Sequence, residues 1–174
     1  MKYVMKSGTL SDCEKALIRV KGDFIGPGKK LYYADGALVL QTDIRKRETG
    51  YDKTDDVRFR YYVMLDVWGN EVAVGKPDYE KGEDPISAGW PVCRMPKTAH
   101  MQLLFREREY FLRVVNSQNY TLKESSGKIM LHISHRGLSG GWDIEADDLF
   151  PPEVVCGIYV FCRYLEQENE FIIV

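Results

Sequence analysis

Residues 147–174 read DDLFPPEVVCGIYVFCRYLEQENEFIIV, and this stretch decides the fold. From Val154 to Cys162 the side chains are apolar or aromatic throughout, broken only by Gly157, which has none. A helix apolar on every side is normally a buried helix. The flanks favour helix over strand: Asp147 and Asp148 offer a cap, Pro151 and Pro152 suit a first turn, and Glu153 complements the positive end of the helix dipole. Arg163, Glu166, Gln167 and Glu170 then recur at helical spacing as one polar stripe. The pattern predicts a helix from about Pro151 to Asn169, enclosed in its first half and emerging into solvent in its second. Nine positions separate Glu153 from Arg163, too few for a bilayer crossing, which takes about 20 apolar residues. The rest of the chain must therefore wrap this segment. Close approach of a neighbouring backbone is the expected compensation for Gly157, which costs about 1 kcal/mol of helix propensity.

Upstream, the chain reads as strands and tight turns. LYYADGALVLQT around Gly36, VMLDVWGNEVAVG around Gly69 and YTLKESSGKIMLHIS around Gly127 are each two apolar or alternating runs joined by hairpin turn chemistry. Tyr3–Lys6, Ala16–Val20, Val92–Met95, Met101–Phe105, Tyr110–Val115 and Trp142–Glu145 bring the expected strand count to twelve. Arg45–Val57 and Lys76–Pro91 read as solvated loops within one domain spanning residues 1–174. The expected fold is mainly β: a closed antiparallel barrel of about twelve strands enclosing a hydrophobic C-terminal α-helix.

Composition narrows the function classes. A formal charge of −2 and a pI near 6.0 supply no basic excess for nucleic acid. The four cysteines form no metal-ligand spacing, and Cys156 and Cys162 sit inside the apolar run, where a thiol behaves as a small hydrophobe. Charges occur too early in MKYVMKSGTLSDCEK for a signal-peptide core, so a reducing, cytoplasmic location is expected.

The order of these features resembles a known family. KIMLHISHRGLSGGWDIEADDLFPPEVVCGIYVFCRYLEQENEF runs strand, glycine-rich turn, short acidic-ended strand, apolar helix. That is the order of the tubby C-terminal fold, shared by the LURP-one-related proteins and the phospholipid scramblases. YYADGALVLQTDIRKR and MLDVWGNEVAV look like the LURP-one hairpin repeats. The resemblance implies a twelve-stranded barrel threaded by its last helix. It also implies a non-enzymatic module: tubby domains bind phosphoinositide headgroups through basic residues on the barrel surface. A cysteine-rich N-terminal segment and a D-x-D-x-D-G loop, which the scramblase reading calls for, do not occur in the sequence.

Candidate chemistry is sparse. Arg45, Lys46 and Arg47 follow one predicted strand, and Arg58 and Arg60 open the next. If those strand ends are adjacent, up to five cations meet a phosphorylated headgroup, since arginine forks suit phosphate. The simpler reading is a solvated loop balanced by Glu48, Asp52, Asp55 and Asp56. Gly137–Gly141 (GLSGG) matches a nucleophile-elbow pattern, but a strand-like segment follows where a helix is needed and no histidine comes after His135. His132 and His135, three apart on a strand, point to opposite faces and cannot share a metal. Gly26–Lys30 (GPGKK) departs from a phosphate loop and reads as a turn with two solvated lysines. No catalytic residue, metal or cofactor is assigned. The expected function is a binding module for an anionic lipid headgroup or a protein, cytoplasmic or peripheral at a membrane and not transmembrane. The alternatives are a scaffold assembling through surface strands or loops, and an enzyme with a polar cleft that the sequence does not show.

Overall fold

The alternating runs resolve into twelve antiparallel strands that close on themselves around one helix. The structure is a computed structural model, and it describes residues 1–22, 27–46, 60–79, 98–116 and 118–170. The strands are β1 (Lys2–Lys6), β2 (Thr9–Ser11), β3 (Ala16–Gly22), β4 (Lys29–Tyr33), β5 (Leu38–Lys46) and β6 (Arg60–Leu65). They continue as β7 (Glu71–Tyr79), β8 (Thr98–Phe105), β9 (Arg108–Asn116), β10 (Asn119–Glu124), β11 (Ile129–His135) and β12 (Trp142–Ala146). Helix α1 (Pro152–Glu170) follows. Each strand pairs with its chain neighbour, and Tyr3 opposite Ile144 closes the ring between β1 and β12.

The three glycine-centred hairpins share one closure. Gly36, Gly69 and Gly127 each donate their N–H to the carbonyl three residues back, on Tyr33, Asp66 and Glu124. All three glycines lie at φ between 87° and 93°, a left-handed conformation that L side chains resist. Inward positions alternate as a half-buried strand requires: Leu40 and Thr42 on β5, Tyr62 and Met64 on β6, Tyr110 and Leu112 on β9. The outer face carries a polar row in register from strand to strand, in which Asp78 meets His100 at 2.9 Å, Thr121 meets His132 at 3.2 Å and Glu145 meets Lys2 at 3.0 Å.

Every residue from Val154 to Cys162 is buried, and burial continues through Tyr164 and Leu165. The helix touches walls that face each other. At Gly157 an added Cβ would lie 2.6 Å from the Met64 sulfur on β6, while Tyr159 packs against Trp142 on β12 with ring centroids 5.1 Å apart. In the closed order β6 and β12 stand six places apart in a ring of twelve, so the helix runs through the middle. Filling by a helix replaces the side-chain layers or ligand cavity that small barrels usually have. Each large apolar side chain placed there stabilises by about 1.5–3 kcal/mol.

Several expectations are corrected in detail. The atoms that a Cβ at Gly157 would meet first belong to the Met64 side chain, not to a backbone. The enclosed part of α1 extends past its midpoint: Arg163 lies 5.3 Å over the Trp142 ring and pairs with Glu166, while Gln167 is exposed. Arg45 and Lys46 belong to β5, not to a loop, since Tyr61 and Arg60 pair with them. Lys76–Tyr79 likewise extend β7; Pro77 fits there because it pairs with Met101 of β8 beyond the point where the β6 ladder ends. Thr9–Ser11 is an additional strand, and the predicted Val92–Met95 strand lies outside the described residues.

Candidate anion-binding rim

The antiparallel order gives the barrel two unlike ends. Strand β12 finishes at the end where α1 enters, and odd-numbered strands run from that entry end to the exit end. The exit end collects the last residues of β3 and β5 and the first residues of β4 and β6. Lys21, Lys29, Lys30, Arg45, Lys46 and Arg60 are therefore carried to one rim.

Within it, Lys46 stands directly opposite Arg60 and Arg45 opposite Tyr61. The condition set by the sequence, that the two strand ends be adjacent, holds for these residues. Arg47 and Arg58 lie outside the described residues. Arg45 is engaged elsewhere: its Nη1 lies 3.3 Å from Glu71 Oε1, at the first residue of β7. Lys46 and Arg60 thus form the centre of the described rim, with Arg45 to one side. On β3 and β4, Lys21 opposes Lys30, and Lys21 Nζ lies 5.2 Å above the Tyr32 ring. Like charges directly opposed on a sheet are unfavourable by themselves.

Lys29 and Lys30 are the residues that sequence reasoning passed over. Read as part of a failed phosphate loop, they look like turn lysines, but they open β4 and share the rim with Lys46. The signal available was the alternation KKLYY leading into the Gly36 hairpin, which extends that strand back to Lys29.

The exit end is anchored from inside. Tyr164 Oη donates to the Pro27 carbonyl at 2.8 Å, which leaves Thr42 Oγ1, also at 2.8 Å, to donate to Tyr164. This buried hydroxyl pair ties the helix to β5 and to the β3–β4 connection beside the basic rim.

The other singled-out motifs have structural settings. Gly137–Ser139 is one 3-10 turn followed by strand β12, so the serine does not sit on a strand-to-helix elbow. His132 bonds to Thr121 on the outer face, whereas His135 packs edge-on against Trp142 with centroids 5.2 Å apart. Burial pushes the Cys156 and Cys162 thiols far up from their ordinary range, which keeps both protonated. Tyr62 is a core residue, and Trp68 is 84% exposed at the tip of the β6–β7 turn. Among the described residues no cluster of His, Cys, Asp and Glu has the arrangement of a metal site, and no helix is long and apolar enough to cross a membrane.

Comparison with protein families, with curated proteins and with solved structures finds no match to this chain.

Proposed function

We propose that this protein is a non-enzymatic binding module of the tubby C-terminal kind that recognises an anionic phospholipid headgroup at its exit rim. It would act as a peripheral protein on the cytoplasmic face of a membrane. The observation that carries the reading is the cross-strand opposition of Lys46 and Arg60 at the exit end. The helix occupies the barrel interior, so ligands are left the rims and the outer surface. Lys29 and Lys30 at the same end add to the basic area, and charge-assisted hydrogen bonds to phosphate favour such clustered cations.

Flotation with liposomes containing phosphatidylinositol bisphosphate tests it. Binding is expected to weaken as salt rises, because the contacts are screened within about 10 Å at 0.1 M ionic strength. Each surface cation contributes on the order of 1 kcal/mol near an anionic leaflet. Lys46→Ala with Arg60→Ala should then reduce partitioning by about 30-fold at an unchanged melting temperature. Salt-independent flotation, or a double variant that floats as the parent does, sinks the reading.

The scaffold alternative draws on a different observation. Closure of the ring removes strand edges as an assembly route, but Phe111 and Val115 on the outer face of β9 are 40% and 58% exposed. A concentration-dependent mass in light scattering that Phe111→Ser abolishes would favour it.

A further inference from the structure

At the entry end a depression of about 580 Å³ lies where α1 meets the first residues of β5 and β7 and the last of β8. Its volume falls within the range of small-molecule sites. The floor is apolar, formed by Leu40, Ala73, Phe105 and Val154. Charged groups stand at its border: Glu71, Arg106, Glu107 and Glu153. We propose that this depression binds a small organic cation whose apolar body rests on the floor and whose ammonium meets Glu107 and Glu153.

At this end Asp12, Asp35, Asp66 and Asp147 each accept backbone N–H bonds that close their own turns. Asp148 lies 3.4 Å from the Met1 ammonium, Glu124 accepts from Ser126, and Glu71 pairs with Arg45. Glu107 and Glu153 have no ion-pair or hydrogen-bond partner among the described residues, and both border the depression. Of the acids at this end, Glu14 and Glu109 also lack a side-chain partner but do not line the depression. The Arg106 guanidinium lies against the Phe105 ring, 5.1 Å from its centroid. Three carboxylates against Arg106 and the Arg45 that neutralises Glu71 leave the border one negative charge in excess. The helix start does not reverse that preference. Pro152 has no N–H, and the N–H groups of Val154 and Val155 both donate to the Pro151 carbonyl, so few donors remain for an anion.

The turn that carries Glu107 fixes how that carboxylate is presented to the depression's edge. Phe105 pairs with Arg108, which makes Arg106 and Glu107 a two-residue hairpin loop, with φ of 49° and 61°. Such loops favour Asn-Gly because both central residues are left-handed. Neither Arg nor Glu suits that conformation, and each costs about 1–2 kcal/mol in it. Backbone strain of this kind concentrates at ligand sites. Here it holds a guanidinium and a carboxylate side by side at the edge of an apolar floor.

The test uses three probes of one shape: phenethylammonium, 2-phenylethanol and 3-phenylpropanoate. Titration followed by amide NMR should show saturable shifts at Ala73, Phe105 and Val154 with phenethylammonium, and weaker effects with the neutral and anionic probes. Glu107→Gln and Glu153→Gln should each weaken binding about tenfold, as expected for losing a charged hydrogen bond. Glu14→Gln, at a carboxylate away from the depression, should leave it unchanged. Shifts that do not saturate, equal affinity for all three probes, or equal loss in the Glu14 variant would overturn the proposal.

Discussion

The two ends of the barrel use charge in opposite ways. At the entry end the acids sit in turns and are largely consumed by them: Asp12, Asp35, Asp66 and Asp147 all cap backbone N–H groups. At the exit end the cations sit within strands: Lys21 on β3, Lys29 and Lys30 on β4, Arg45 and Lys46 on β5, Arg60 on β6. A carboxylate that closes a turn is explained by the fold. A lysine facing an arginine across a ladder closes no turn. The contrast therefore places backbone-capping acids at one end and strand-borne cations at the other. A net charge of −2 conceals this polarity entirely.

The plug that keeps the two ends apart is the strongest point at which to break the comparison. Phe161→Asp inserts a carboxylate where the ring packs on Tyr62 and Tyr164, with centroids 5.5 and 6.2 Å away. An unpaired buried charge costs several kcal/mol, a large part of the roughly 5–15 kcal/mol by which a domain is stable. Loss of soluble, cooperative folding is the expected outcome. A Phe161→Asp variant that stays soluble and melts in one sharp transition would show that the helix is not enclosed.

How much of this was legible beforehand depends on how local each feature is. The helix and the three hairpins could be read because their signals are contiguous: an unbroken apolar run, and glycine turns between alternating strands. Thr9–Ser11 escaped notice because three residues carry no period, although the Ser7-Gly8 turn before it, at φ of 50° and 74°, is ordinary hairpin chemistry. The basic rim was half legible. Arg45, Lys46 and Arg60 flank one connection, but joining them to Lys29 and Lys30 needs the register of β3, β4 and β5, which is set in space. The entry depression gave no signal, since its border draws on Glu71, Glu107 and Glu153 from three distant segments. In the sequence Arg106 and Glu107 are only two of the alternating charges in Arg106–Glu109. Their backbone conformation follows from the pairing of Phe105 with Arg108, and nothing in their identity announces it.

That turn offers a prediction of opposite sign. Arg106→Asn with Glu107→Gly supplies the residues the loop geometry favours. Relief of left-handed strain, less the extra flexibility of glycine in the unfolded chain, should stabilise by about 1 kcal/mol. For a chain of this size that raises the melting temperature by about 2–4 °C. The same variant should lose phenethylammonium binding. A variant neither more stable nor deficient in binding would mean that the turn is under no strain and serves no ligand, and the entry end would then be purely architectural.

The smallest expected effect concerns the acids that close turns. Lys128 donates to Asp147 at 2.9 Å, and with the Leu149 N–H it holds the Asp147 carboxyl below its usual value of 3.8, while the same contact lifts Lys128 above 10.5. For a carboxylate depressed in the folded state, the stabilisation is complete above 3.8 and fades as pH falls through the lower folded value. For the lysine, whose folded value is raised, it is complete below 10.5 and fades as pH rises past the higher one. The pair therefore contributes a plateau across neutral pH with a limb at each extreme. Asp147→Asn should lower the urea midpoint at pH 7 and converge with the parent once pH has fallen through the lowered folded value of Asp147, since both then lack the charge. Exposed pairs are weak in general, so the midpoint shift should be modest and should shrink in salt. A shift of equal size at pH 7 and pH 2.5 would mean that Asp147 acts through the neutral geometry of its turn. Its charge would then contribute nothing, and the acidity of the entry end would be incidental to its stability.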